Sequence, residues 1–289
     1  MIETSLTDTE LDAAVGLSTA SYTRLAHFIT AELGIKMPES KLPMVQSRLM
    51  KRVRELCLAS VDEYTEYFFH SANSAEREQF INLITTNKTD FFREPEHFRH
   101  LQNVLLPGFM SGHPALYRKM KVWSAGCSSG EEPYTLSMVL SEFAALHPGF
   151  DYAILATDIS TKVLACARRG IYQAPQVEPV PHALRAKYLW HSRNSQQPLV
   201  RIAPQLREKI SFHQLNFMDE QYSLKDTFDL VFFRNVMIYF DRPTQELVIN
   251  KICRHLAPGG HFFTGHSESL AGMDVPLKPV DVAIYRKSG

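Results

Sequence analysis

The chain has 289 residues, 45% hydrophobic and 21% charged, enough for a globular protein with two domains or one with an appendage. Lys+Arg and Asp+Glu each number 31, a formal charge of +0. That balance argues against a general nucleic-acid or membrane-surface binder and leaves room only for a local patch. No apolar run approaches the ~20 residues that span a bilayer, and the acidic start MIETSLTDTELDAAVG is unlike a secretory signal. Cys57, Cys127, Cys166 and Cys253 form no C-x-x-C pair and have no nearby histidine at metal spacing. Reduced thiols, a cytoplasmic location and no metal are therefore expected.

Residues 1 to about 86 read as helices only. Apolar periodicity covers Thr19–Leu33 and stops at Gly34, a natural C-terminal cap. A second helix is expected over roughly Leu42–Leu56. Ser60-Val61-Asp62-Glu63 is a capping box that opens a third, and EREQFINLITT carries a fourth. From Lys121 the texture changes to short β-rich runs: KVWSA, YAILATD, ISFHQLN, FDLVFFRN, HFFTGH and VAIYRK. Helices fit at Glu131–Leu146, Thr161–Arg169 and Pro243–Leu256. This alternation implies an α/β, doubly wound parallel sheet with helices on both faces. AKYLWHS, PLVRIAP and KISFHQL follow one another too closely for crossover helices. They are read as a small antiparallel β-subdomain inserted at about 180–214.

In an open α/β sheet the ligand lies at the carboxyl ends of the strands, beside the first glycine turn. That turn is VWSAGCSSGEEPYT, residues 122–135. Gly126-x-x-x-Gly130 lacks dinucleotide spacing, and Glu131 and Glu132 would repel a pyrophosphate seated on the helix start. A cationic ligand such as S-adenosylmethionine suits it better, although acidic residues also favour the first turn of any helix. The turn alone leaves both readings open. Asp158, ending the strand YAILATD, can accept the hydroxyls of a ribose or cap the next helix with Ser160. LAPGGHFFTGH (256–266) is a helix end, a proline-glycine turn and a strand, a pattern frequent in methyltransferases. Together these favour a methyltransferase.

Three stretches, TTNKTDFFRE (85–94), SAGCSSGEEPY (124–134) and FFRNVMIYFD (232–241), with GHSES (265–269), resemble the chemotaxis receptor glutamate methyltransferases, the CheR family. The resemblance implies an all-helical N-terminal domain (1–86), a linker contributing to the cofactor site (87–118) and a Rossmann-like S-adenosylmethionine-dependent domain carrying the β-subdomain (119–289). It further implies that Asn87, Thr89 and Arg93 reach the cofactor and that Glu131 and Gly126 belong to the glycine-turn contact. Asp158 would hold the ribose, and Asn216 and Phe217 would flank the adenine. Arg234 and Asn235 would line the methionine end, and Arg93 and Tyr239 would face the methyl group and the substrate.

The family reaction forms a methyl ester on a glutamate side chain and leaves S-adenosyl-L-homocysteine. A carboxylate with a pKa near ~4.3 is already ionised at neutral pH, so no general base is required. RNVM stands where amine methylators carry an Asn/Asp-Pro-Pro-aromatic segment. In the second helix, Leu42, Val45, Leu49, Val53 and Leu56 form an apolar seam; Arg48, Lys51 and Arg54 lie opposite, with Arg52 beside it. This basic side is either a solvated face or a grip on an acidic partner, and the resemblance implies the second, with the cytoplasmic helical domain of a chemoreceptor as partner. Family members that dock a receptor peptide on the β-subdomain carry glycines where this chain has HSRNSQQ (191–197). Another regulator at the subdomain, or simple support of the site, is expected instead. The protein is expected to act as a monomer. The competing readings are an RNA or small-molecule methyltransferase, and a non-catalytic cofactor-binding signalling module.

Overall fold

The helical texture of the first segment resolves into helices with clear local causes. The computed structural model describes residues 16–112, 119–192 and 198–288, and the chain divides into two compact units between Thr86 and Asn87. In the first unit, Ser18 caps Thr19–Leu33 by accepting the Ser21 N–H, and Gly34 closes that helix at φ 69°. Leu42–Glu55 buries Val45, Leu49 and Val53. Ser60 caps Val61–His70, with Glu63 reaching back to the Ala59 N–H, and Asn73 caps Ser74–Ile84. The core is aromatic: the Phe68 and Phe80 rings lie 4.4 Å apart, and Phe28 meets Phe68 edge-on at 5.1 Å.

The four basic residues of the second helix fall into two kinds. Arg52 fixes the buried Glu76 through Nε at 3.1 Å from both carboxylate oxygens, and the Tyr64 hydroxyl donates to the same carboxylate at 2.8 Å. Arg48 donates to the Ile84 and Thr85 carbonyls and, at 2.9 Å, to the Thr86 hydroxyl. Both therefore hold this unit together. Lys51, with a side chain 79% exposed, and Arg54 point to solvent.

In the second unit the strands are β1 (Met120–Ala125), β2 (Tyr152–Asp158), β3 (Ile171–Gln173), β4 (Leu189–His191), β5 (Leu199–Ile202), β6 (Ile210–Gln214), β7 (Phe228–Phe232), β8 (Leu256–Phe263), β9 (Leu277–Asp281) and β10 (Ile284–Lys287). A seven-stranded sheet has the order β6-β2-β1-β7-β8-β10-β9. Its first five strands run parallel, and β10 and β9 return antiparallel. Helices Glu131–Leu146, Thr161–Arg169 and Arg242–Arg254 make crossovers. β1 is buried at five of six positions, which matches its apolar run. The winding reverses at β1, between β2 and β7, where such sheets bind ligands.

The inserted subdomain differs from expectation in its membership. Its order is β3-β5-β4, all antiparallel. KISFHQL instead supplies β6, paired in parallel with β2 at the edge of the large sheet, and IYQ (171–173) takes the third place. Strand β9, LKPVD, lay outside the expected set because it carries a proline and exposes four of five residues. Most of HSRNSQQ falls outside the described residues, as do 1–15 and the end of the expected linker, 113–118.

Arg52→Ala leaves the Glu76 carboxylate buried beside Tyr64 without its cation, and should destabilise the helical unit by about 3 kcal/mol in urea unfolding. Lys51→Ala should stay within about 0.5 kcal/mol of the parent. Equal effects would contradict this division of the basic residues.

Candidate active site at the carboxyl end of the sheet

The glycine turn leaves β1 with two residues that only glycine tolerates. Gly126 has φ +84°, and a Cβ there would stand 2.5 Å from a Val236 methyl; Gly130 has φ +101° and would meet Ala167 and the Tyr172 hydroxyl at 2.9 Å. Tyr172, on β3, donates to the Ser129 carbonyl at 2.7 Å. Between the glycines, the Ser128 N–H donates to Asp158 Oδ2 at 2.9 Å and its hydroxyl to the Asn87 carbonyl at 2.8 Å. Asn87 and Asp158, 71 positions apart, therefore meet at one turn. Thr89 is half-buried two residues beyond Asn87. The Asp158 Oδ1 accepts the Ser160 N–H at 2.9 Å, whereas Ser160 itself caps the following helix. The Leu215 N–H bonds the Asp158 carbonyl at 3.0 Å, bringing Asn216 and Phe217 alongside. Phe217 packs edge-on against Phe233 at 5.0 Å.

Arg234 follows β7 and is buried, its side chain 2% exposed. Nε and Nη2 donate to Glu94 Oε2 at 3.3 and 3.1 Å, Nη1 to Glu132 Oε2 at 3.2 Å, and Nη2 also to the Arg93 carbonyl. Its guanidinium is thus spent on protein partners and holds the walls of the crevice together. Asn235 has φ 58°. Its side chain donates to Glu94 Oε1 at 3.2 Å and its N–H to Glu268 Oε2 at 2.8 Å. The buried Glu268 also accepts the N–H groups of Gly265 at 2.7 Å and Ile238 at 3.3 Å, joining the loops after β7 and β8. Tyr239 ends the short turn Met237–Tyr239 and is half-buried. The Arg93 guanidinium donates to the Lys88 carbonyl at 3.2 Å and makes no ion pair with a described carboxylate. Sequence reasoning passed over Glu94, Glu132 and Glu268 as ligands of this framework, although each lies inside a quoted motif.

Burial pushes the carboxyls of Glu131, Glu132, Asp158 and Glu268 above the ordinary carboxylate range. In each case hydrogen bonds only partly offset it: the Ser129 hydroxyl at Glu131, backbone N–H groups at Asp158 and Glu268, and Ser124 with the Arg234 charge at Glu132. Glu94 also loses solvation, but Arg234, Asn235 and the His266 N–H outweigh that loss and hold it below the usual value. Such a crevice favours a cation and opposes phosphate.

Profiles of the CheR family match both units: the all-alpha domain over residues 20–85 and the SAM-binding methyltransferase domain over 87–285. The chain belongs to the CheR methyltransferase family. It is 36% identical over 255 residues to chemotaxis protein methyltransferase 2 of Pseudomonas aeruginosa, covering 87% of each chain. It is 34% identical over 264 residues to the chemotaxis protein methyltransferase of Salmonella typhimurium, covering 91% of this chain and 88% of the relative. The Borreliella burgdorferi chemotaxis protein methyltransferase is 35% identical over 276 residues, 95% of this chain and 96% of that one. This CheR chain is accordingly an S-adenosylmethionine-dependent methyltransferase, and no helix among its described residues is long and apolar enough to cross a membrane.

S-Adenosylmethionine fits this donor set: it carries a sulfonium and an ammonium, has no phosphate, and would enter among carboxylates only partly neutralised by Arg234. The side chains of Glu94, His97 and His266 in this methyltransferase place ligand atoms within 4.8 Å of one another. Two ligands at about 2.1 Å from a shared zinc cannot be more than about 4.2 Å apart, and both Glu94 oxygens already accept hydrogen bonds. His97, pushed down to about 3 by burial, is neutral at ordinary pH, so its 3.6 Å approach to Glu94 is not an ion pair. Of the three, His97 is buried with neither ring nitrogen hydrogen-bonded, Glu94 is half-buried and His266 is exposed.

Acids whose folded pKa is raised contribute stability below their unfolded pKa and lose it as pH rises through the folded value. A bound cation favours the ionised forms and so reverses that cost. Affinity for S-adenosylmethionine should therefore rise as pH rises through the upward-displaced range of these carboxyls, and more steeply than for the uncharged-sulfur product. Calorimetry of both ligands across that range checks it; equal slopes would remove the sulfonium from the argument.

Proposed function

We propose that this chain transfers the methyl group of S-adenosylmethionine to glutamate side chains in the cytoplasmic helical domain of chemoreceptors, forming glutamyl methyl esters in chemotactic adaptation. The observation that carries the residue-level reading is Arg93. It stands beside an acidic crevice with a guanidinium unpaired with any described carboxylate, which suits an incoming glutamate. Several curated relatives are named chemotaxis protein methyltransferases, which favours this substrate over RNA or a small molecule. The place of action is the cytoplasm.

Bound S-adenosylmethionine supplies an electrophilic methyl on a cationic sulfur. The glutamate oxygen forms the new O–C bond as the C–S bond breaks with its electron pair left on sulfur. One negative and one positive charge vanish together, and no proton moves. The protein's part is alignment and exclusion of water. Arg93 orients the substrate carboxylate through its fork, while Tyr239 covers the reacting atoms and can donate a hydrogen bond. Asn87, Thr89, Gly126 and Glu131 shape the turn under the cofactor, Asp158 takes the ribose, and Asn216 and Phe217 flank the adenine. Arg234 and Asn235 hold the methionine end through Glu94 and Glu132.

For docking, Arg54 and Lys51, the latter paired only loosely with Glu55 at 3.8 Å, are the exposed cations of the basic helix, since Arg48 and Arg52 are engaged internally. On the β-subdomain, register sets Ile171, Arg201 and Trp190 side by side across three strands. Ile171 and Trp190 are 40% and 54% exposed, a face suited to a further regulator of a monomeric enzyme.

Incubation with methyl-labelled S-adenosylmethionine and receptor cytoplasmic fragments should leave base-labile label in the receptor; label in RNA, or none, would overturn the assignment. In the same assay Arg93→Ala should lower transfer by at least about a hundredfold with the fold retained. The pair Lys51→Glu and Arg54→Glu should raise the KM for receptor and leave cofactor affinity unchanged. A loss of cofactor affinity in that pair would count against the docking role.

A further inference from the structure

The turn that follows β6 presents three consecutive carbonyls to a single buried cation. Asn216 opens it: its carbonyl accepts the Asp219 N–H at 3.1 Å, and its side chain accepts the Met218 N–H at 3.0 Å. This arrangement turns the carbonyls of Phe217, Met218 and Asp219 toward the Arg242–Arg254 helix. Lys251 rises from that helix, 8% exposed, and its Nζ donates to those three oxygens at 3.3, 3.3 and 2.7 Å. The Tyr222 hydroxyl adds a 3.0 Å bond to the Phe217 carbonyl, and Lys251 lies 5.8 Å from the Tyr222 ring centre. Three carbonyl dipoles aimed at one point repel each other unless a positive charge occupies it.

We propose that Lys251 is a positioning residue for the adenine end of the cofactor site, fixing the turn that presents Asn216 and Phe217. The proposal rests on the reading that these two residues flank the adenine. Lys251 touches no reacting atom, since it reaches the turn from the helix behind it. All three ammonium donors are used on this turn, and no described carboxylate accepts a hydrogen bond from the lysine, although the Asp219 and Glu220 charges favour its ionised form. Burial, with the nearby Arg254 charge, lowers its pKa from the ordinary lysine value, and the Asp219 and Glu220 charges oppose that shift. A side chain of equal length without charge would remove the lysine donor from the Met218 and Asp219 carbonyls and leave the Phe217 carbonyl to the Tyr222 hydroxyl alone, loosening the seat of Phe217 against Phe233.

The test compares Lys251→Met, Lys251→Gln and Lys251→Arg in the full chain, with S-adenosylhomocysteine as calorimetric probe and receptor methylation as activity. Lys251→Met should raise both the dissociation constant and the KM for S-adenosylmethionine by about tenfold, while kcat at saturating cofactor stays within about twofold. Lys251→Arg should recover affinity to within about threefold of the parent. Folded Lys251→Met with parental affinity would overturn the proposal, and so would a fall in kcat with KM unchanged. Should Lys251→Met not fold, Lys251→Gln is read the same way. Unfolding of both would make Lys251 a general stabiliser and equally overturn it. Phe217→Ala separates the parent reading: if it leaves S-adenosylhomocysteine affinity intact, the adenine assignment fails whatever Lys251 does. If it weakens affinity and Lys251→Met does not, only the role of Lys251 fails.

Discussion

The carboxyl end of the sheet depends on burying one guanidinium. Arg234 gathers Glu94 from the segment before the sheet, Glu132 from the first turn of the Glu131–Leu146 helix, and the backbone carbonyl of Arg93. Two carboxylates brought together without it would repel, and each would face the desolvation cost alone. A lysine could not serve the same three partners from one planar fork. The carbonyl contact also sets the backbone at Arg93, so Arg93 and the acidic wall are fixed by the same bonds.

Around that cation the remaining charges are mostly negative. Glu131, Asp158 and Glu268 are buried and their carboxyls displaced upward by burial. A positively charged methyl donor would relieve this electrostatic cost. The chemistry then removes one charge of each sign, so the product no longer offers the pocket the sulfonium that drew the donor in.

Much of this was legible in the sequence because the signals were local. Ser18, Gly34 and Ser60 mark helix ends by chemistry that needs no distant partner, and the apolar seam of the second helix separates Arg52 from Lys51 through periodicity alone. The glycine turn was legible as a turn and as acidic. What the sequence could not reveal were the partners across long separations. Arg234 and Asn235 were expected to face the cofactor, but their partners Glu94 and Glu268 lie 140 and 33 positions away. KISFHQL has the texture of any strand, and only the sheet decides that its neighbour is β2. IYQ is too short, and LKPVD too polar, for alternation to distinguish them from loop.

Tyr172 belongs to β3 yet its hydroxyl closes the Ser129 carbonyl and stands where a side chain on Gly130 would go. The three-stranded sheet consequently braces the glycine turn that follows β1. Excising it would remove the donor that caps the Ser129 carbonyl, so trimming the insertion away would also loosen the glycine turn of the parallel sheet.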